Sequence, residues 1–515
     1  MRIESTSLPS WKYLLVSVLI FFQLLPWFPA YPDSKDGYYG KLKKSTEEKN
    51  FKSALGVARS AMGEYPDEEG FTVYAIWSLR ELKQFDEAIA LGRKAMKQWP
   101  DSKGIRENLA WALTICAGHI IENKLSRDPL PLAREGYNLH PAEGTMLWLG
   151  ISLRHNREFA GAERVLKEGM AAYPYSAYFR PNLAWTYIEW GQRAREEKEA
   201  DRALDLFAKA HGVDPANEGA LLWHGIALRE KKDFDGAMRL FIEGKKSFPG
   251  NRYFTENLRW TCVEWAARLT DNNEEEKARA LLSRARAELP GDPFILQSLA
   301  LTYFRRDHKK WESLSREALT LVPKEKLKAL GTYQMPLKSG RIMIHQGNME
   351  AITHLGIDAG YAWDFVLVRD DNSYGKTWEK KEDHLVFGQP VYAARDGIVD
   401  SVYDGSPDTE PGKNGPFEVN RIMIRHPDGE LSYYAHLRKG SSVVKKGDTV
   451  RKGQQIALVG SSGRYVDFPH LHFQVMRDNL CVEARITGIE IFTGGAWRDK
   501  GPITPGKKEL LRSTW

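Results

Sequence analysis

The chain has 515 residues, 42% of them hydrophobic and 28% charged. At ~150 residues per domain that is a prior of about three domains, and the composition excludes a disordered, fibrous or polytopic membrane protein. Lys and Arg (74) outnumber Asp and Glu (68) by only 6 charges, too few to point to nucleic acid. Such a balance permits an anionic polymer or surface as partner. Cys116, Cys262 and Cys481 lie far apart, so they form neither a disulfide framework nor a CxxC metal site and read as small buried hydrophobes.

The first element is a targeting segment. Arg2 and Lys12 precede the apolar run YLLVSVLIFFQLL at 13–25, and PWFPAYP follows. A basic start, an apolar centre and a Pro-rich exit describe an export signal. Residues 11–28 make 18 positions, barely enough to span a bilayer. Two outcomes stay open for 1–31: a cleaved signal peptide, or a retained anchor in the inner membrane. The absence of Cys near residue 30 argues against a lipid anchor. The rest of the chain is expected outside the cytoplasm, in the periplasm or cell envelope.

Residues 32–325 carry a repeat. Prolines end amphipathic segments at Pro66, Pro100, Pro141, Pro174, Pro215, Pro249, Pro290 and Pro323, with spacings of 34, 41, 33, 41, 34, 41 and 33. Trp148, Gly150, Phe159 and Pro174 return 75 residues later as Trp223, Gly225, Phe234 and Pro249. A fixed period of this size marks an array of stacked supersecondary units. The 34-residue unit resembles the tetratricopeptide repeat, two antiparallel helices closed by a Pro that cannot continue the second. The 41-residue units carry about seven extra residues after their first helix, or two helical turns, which predicts a longer first helix in every second pair. The aromatic residues of the array read as core. By analogy with the fold, the array is expected to bind a protein partner.

Helical periodicity stops near residue 326, and 326–340 reads as a linker. Short strand-like runs follow: RIMI, YAWDFVLV, PVYAA, IVDSVY, NRIMIRH, LSYYAHL, QQIALVG and LHFQVM. Many strands without intervening helices predict an antiparallel sheet over 341–490, with 491–515 as a C-terminal tail. In HLH at 470–472, His470 and His472 share one strand face, because alternate residues point the same way. Two imidazoles side by side on an apolar strand are costly unless they bind a metal or each other. His436 lies in another strand-like run, and carboxylates stand in HLGIDAGYAWDF at 354–365. Three such ligands and a water make an open hydrolytic zinc site.

Residues 345–477 resemble the lysostaphin-like zinc metallopeptidases. The resemblance rests on His354 and Asp364, then GQPVYAARDGIV at 388–399, NRIMIRHPDGELSYYAHL at 420–437, VVKKGDTVRKGQQIALVGSSGR at 443–464 and PHLHFQV at 469–475. It implies Zn²⁺ held by His354, Asp364 and His472, with His436 and His470 as the catalytic histidines. Asp358 competes for the ligand role: it stands four residues after His354, the family's common spacing. YAWDF at 361–365 resembles the Tyr-Ala-x-Asp-Phe variant with a longer gap, and a carboxylate inside an apolar strand needs a cation, which favours Asp364. The stretch 369–387 is longer than in compact members and reads as a loop at the groove mouth. His345, His384 and His426 match no motif position and read as structural or solvated.

The fold expected is therefore an all-α tetratricopeptide solenoid followed by an antiparallel β-sheet peptidase domain. The function implied is that of an exported zinc endopeptidase cutting peptide cross-links of bacterial peptidoglycan. Its partners are wall peptides and a protein held by the array, without nucleic acid and with membrane anchoring tied to residues 1–31. Two alternatives remain: a non-catalytic activator of wall hydrolases, and a zinc peptidase acting on exported proteins.

Overall fold

The computed structural model describes residues 35–347 and 354–515, except Arg305, Ser339, Asp371, Asn414, Phe417, Arg464 and Tyr465. Residues 1–31, expected from the sequence to be an export segment, lie outside the described residues. Among those described, no helix is long and apolar enough to cross a membrane. The chain divides into two compact units, one up to Phe254 and one from Thr255 onward.

Sixteen α-helices precede the sheet among the described residues. Helices Phe51–Glu64, Phe85–Gln98, Phe159–Ala172 and Phe234–Ser247 each end on an aromatic residue followed by Pro66, Pro100, Pro174 or Pro249. The ring of a proline excludes the α conformation from the residue before it, so each helix stops there. The first helices Glu69–Glu81, Glu143–His155 and Glu218–Glu230 have 13 residues each. Those between them, Lys103–Glu122, Phe179–Glu196 and Arg252–Asp271, have 20, 18 and 20. The extra residues of the 41-residue units thus lengthen the first helix, as the spacing predicts.

Packing explains the repeated residues. A side chain on Gly150 would run into Leu166, and one on Gly225 into Phe241, so these glycines let neighbouring helices close. Phe159, Phe234 and Tyr187 are buried, and Trp185, Trp190 and Trp223 pack partly buried against the array core. Cys116, Cys262 and Cys481 are free and buried.

The second unit holds fifteen strands among the described residues. In chain order they are β1 Lys328–Gln334, β2 Arg341–Gln346, β3 Trp363–Val368, β4 Pro390–Tyr392 and β5 Gly397–Tyr403. Then come β6 Arg421–Arg425, β7 Leu431–Ala435, β8 Thr449–Val450, β9 Gln455–Leu458 and β10 Leu471–Arg477. The last are β11 Leu480–Cys481, β12 Glu483–Thr487, β13 Ile489–Thr493, β14 Ala496–Arg498 and β15 Leu510–Ser513. The main sheet runs β14-β13-β15-β2-β3-β10-β7-β6-β5-β8, with β11 on β10. Trp363, Phe365, Tyr434 and Phe473 fill the core behind β3, β7 and β10.

The stretch expected as a linker holds β1, which pairs in parallel with β12. Glu430, fully buried, accepts from the Leu330 and Gly331 amides at 2.8 and 3.2 Å and from the Tyr333 hydroxyl at 2.8 Å. A buried carboxylate needs such donors, and they hold a segment that has little apolar pattern of its own. The stretch expected as a tail supplies β14 and β15, and β15 sits between β13 and β2.

Candidate metal centre

Strand register builds the site. Asp364 on β3 lies directly opposite His472 on β10, and His472 in turn lies opposite Ala435 at the end of β7. Directly opposed residues share a sheet face, with Cβ atoms ~4.5–5.5 Å apart. His472 Nδ1 is 3.0 Å from Asp364 Oδ1. His354, from the turn before β3, brings its Nε2 to 3.2 Å from the same oxygen, and His470 Nε2 is 3.5 Å away. His436 follows Ala435 in the left-handed region at φ +59°, an uncommon conformation that turns the chain out of the strand. Its ring lies 4.7 Å from that of His470 and 5.8 Å from that of His472. All five residues singled out from the sequence therefore meet in one place.

Electrostatics divides them. Burial opposes ionisation of the Asp364 carboxyl, but His354, His470 and the His472 hydrogen bond outweigh it and hold it well below the usual carboxylate range. Burial also disfavours the His472 imidazolium, yet the bond to Asp364 wins and raises its pKa. His436 moves the other way: burial, then His470 and His472, push it well below the ordinary value, and burial lowers His470 too. His436 Nδ1 faces the Ser462 carbonyl at 2.8 Å and His470 Nδ1 the Phe468 carbonyl at 2.9 Å. A carbonyl only accepts, so both Nδ1 atoms carry the proton and each Nε2 keeps its lone pair.

Donor atoms of His354, Asp364 and His472 all lie within 4.8 Å of one another, the one such group among the described residues. Both ring nitrogens of His472 face oxygen acceptors, Asp364 Oδ1 and Gln474 Oε1. A buried carboxylate ringed by imidazoles is a place for positive charge, and two imidazoles plus one carboxylate fit Zn²⁺ with a position left open. Asp358 stays outside the group; its Oδ1 is buried without a hydrogen-bond partner, and burial pushes its carboxyl up to about 6.

The remaining histidines have separate places. His426 is buried between the Asp396 carbonyl at 2.8 Å and Ser432 Oγ at 2.9 Å, a structural role. His345 and His384 both pack on Phe468, with ring centroids 4.8 and 5.7 Å away, two residues before His470. The long 369–387 stretch is thereby held beside the site, and Lys381 pairs with Glu410. Gln474 is the residue that motif reasoning missed; its signal was the same alternation that pairs His470 with His472.

Helix Pro293–Leu301 packs on the turn that carries His354. Gln297 is 3% exposed, neither of its polar atoms has a partner, and a side chain on Gly356 would collide with its carboxamide. Gly356 also has φ +103°, where a Cβ is strained. Gly356→Ala should therefore destabilise the fold by about 1–3 kcal/mol and weaken metal binding. Urea unfolding with metal titration checks this; unchanged stability would mean that the turn yields freely.

Residues 383–484 match the family Peptidase family M23. The match includes His436, His470 and His472 and begins after His354 and Asp364. Peptidoglycan DD-endopeptidase ShyA of Vibrio cholerae is 32% identical over 126 residues, 24% of this chain and 26% of that protein. The chain thus spans about a quarter of that relative. A crystal structure of a zinc containing peptidase from Vibrio cholerae is 27% identical, covering 30% of this chain and 39% of that one at a TM-score of 0.20. A tetratricopeptide repeat protein from Parabacteroides merdae is 17% identical, covering 52% of this chain and 98% of that one at a TM-score of 0.28. The sheet unit of this chain carries a domain of peptidase family M23, preceded by an array of helical hairpins.

Proposed function

We propose that the chain is an exported, Zn²⁺-dependent endopeptidase that hydrolyses peptide cross-links of bacterial peptidoglycan, with the repeat array holding a protein partner. One observation carries this reading: the converging donors of His354, Asp364 and His472 lie beside the paired rings of His436 and His470. The substrate class comes from the relatives, among them enzymes named peptidoglycan DD-endopeptidases. Export rests on the basic and apolar residues 2–25.

His354, Asp364 and His472 would hold the metal. When bound, Zn²⁺ supplies Lewis-acid activation of a water and of the scissile carbonyl. The chain's own residues handle the proton. His436 or His470, with its Nε2 lone pair free, takes the proton from the attacking water, and the other stabilises the developing oxyanion once its own Nε2 is protonated. The captured proton goes to the leaving amine as the C–N bond breaks, and the water oxygen ends in the new carboxyl group, whose proton passes to the amine or to solvent.

The test is to incubate the purified protein with peptidoglycan and to mass-analyse the soluble products. Cleaved cross-link peptides are expected, lost on chelation and restored by zinc. His472→Ala should lose metal and hydrolysis together, and full zinc occupancy in that variant would remove His472 from the ligand set. A wild-type protein that releases nothing but stimulates another wall hydrolase would favour the activator reading.

A further inference from the structure

Gln474 is 6% exposed on β10 and shares a strand face with His472 by alternation. Its amide touches two partners. Nε2 donates to the Asp358 carbonyl at 3.2 Å, and Oε1 faces His472 Nε2 at 3.0 Å. The first contact determines the orientation of the amide, because a carbonyl accepts and only the NH₂ end can donate to it. The atom facing His472 is then the oxygen, which only accepts. His472 Nε2 must carry the proton. In the neutral ring the lone pair lies on Nδ1, the nitrogen that faces Asp364 at 3.0 Å.

We infer that Gln474 is a positioning residue for the metal centre, an assignment that rests on the zinc function proposed above. It holds His472 as the Nε2–H tautomer, with Nδ1 presented to the metal. Through Asp358 it also ties β10 to the 354–360 turn, so that His354 and His472 keep their separation. Only a carboxamide performs both tasks at this position. A carboxylate accepts from His472 but has no proton for the Asp358 carbonyl. An apolar side chain does neither and leaves the Nε2 proton of a half-buried ring without this partner. Partners of metal-bound imidazoles fix tautomer and ring orientation in this way, and losing one costs ~10–100-fold in metal affinity.

The experiment uses the full chain and two variants. Gln474→Met keeps the volume and removes the amide; Gln474→Glu keeps an acceptor for His472. Zinc affinity is measured by competition with a chelating dye, and the ring nitrogens of labelled histidine are read by NMR. Gln474→Met is expected to bind zinc ~10–100-fold more weakly and to lose the Nε2–H signature of His472. Gln474→Glu is expected to keep that signature and to recover most of the affinity. Equal affinity in wild type and Gln474→Met overturns the assignment and leaves the proposed function standing. Equal losses in both variants mark a packing role and overturn it as well. A wild-type protein that takes up no zinc overturns the proposed function and this assignment with it.

Discussion

Asp364→Asn is expected to abolish zinc binding and hydrolysis, while Asp358→Asn keeps most of both. Asp364 Oδ1 stands 3.0 Å from His472, 3.2 Å from His354 and 3.5 Å from His470, and the residue is 3% exposed. So nearly buried a position gives bulk solvent little room to compensate a lost charge, and an amide is a far weaker metal ligand. The loss should therefore exceed the ~10–100-fold that changing a ligand's support costs. Asp358 serves the site through its backbone carbonyl, which an asparagine retains. Its carboxyl, pushed up to about 6 by burial, also makes a separate prediction. A carboxyl whose folded pKa exceeds its unfolded value of ~3.9 stabilises the fold at low pH, and that stability is lost as pH rises from ~4 through ~6. Asp358→Asn should remove this component of the stability–pH curve. Zinc content, hydrolysis and urea unfolding at several pH values read all three effects. Zinc loss in Asp358→Asn alone would move the ligand to Asp358.

His436→Ala should keep its zinc while turnover falls by ~10²–10⁴, the usual contribution of a positioned acid or base. The His436 ring sits against His470, not among the three converging donors. Its Nδ1–H is spent on the Ser462 carbonyl, which leaves the Nε2 lone pair for the proposed proton transfer. The backbone at φ +59° adds a complication, because alanine is strained there. His436→Asn tolerates that conformation better and lacks a comparable base, so it should show the same fall in turnover with less loss of stability. Zinc analysis alongside steady-state kinetics separates the roles. Zinc and activity falling in step in both variants would make His436 a ligand.

Much of this was legible in the sequence because it is periodic. Proline spacing alone located the helical hairpins and the longer first helices, since a proline ends a helix wherever it falls. Alternation in LHFQV placed His470 and His472 on one face, and the same rule applied two residues further would have reached Gln474. The family motifs brought in His354, Asp364 and His436. What alternation could not decide was the choice between Asp358 and Asp364. That is a matter of register: β3 and β10 pair so that Asp364 faces His472, and pairing depends on contacts between residues 108 positions apart. The linker and tail were likewise hidden. The anchoring of β1 comes from hydrogen bonds to Glu430, about 100 residues away, and the place of β15 from its pairing with β2. Local pattern determined which residues form elements and which face they show; tertiary structure alone determined which faces meet, because hydrogen-bond register between distant strands leaves no local trace.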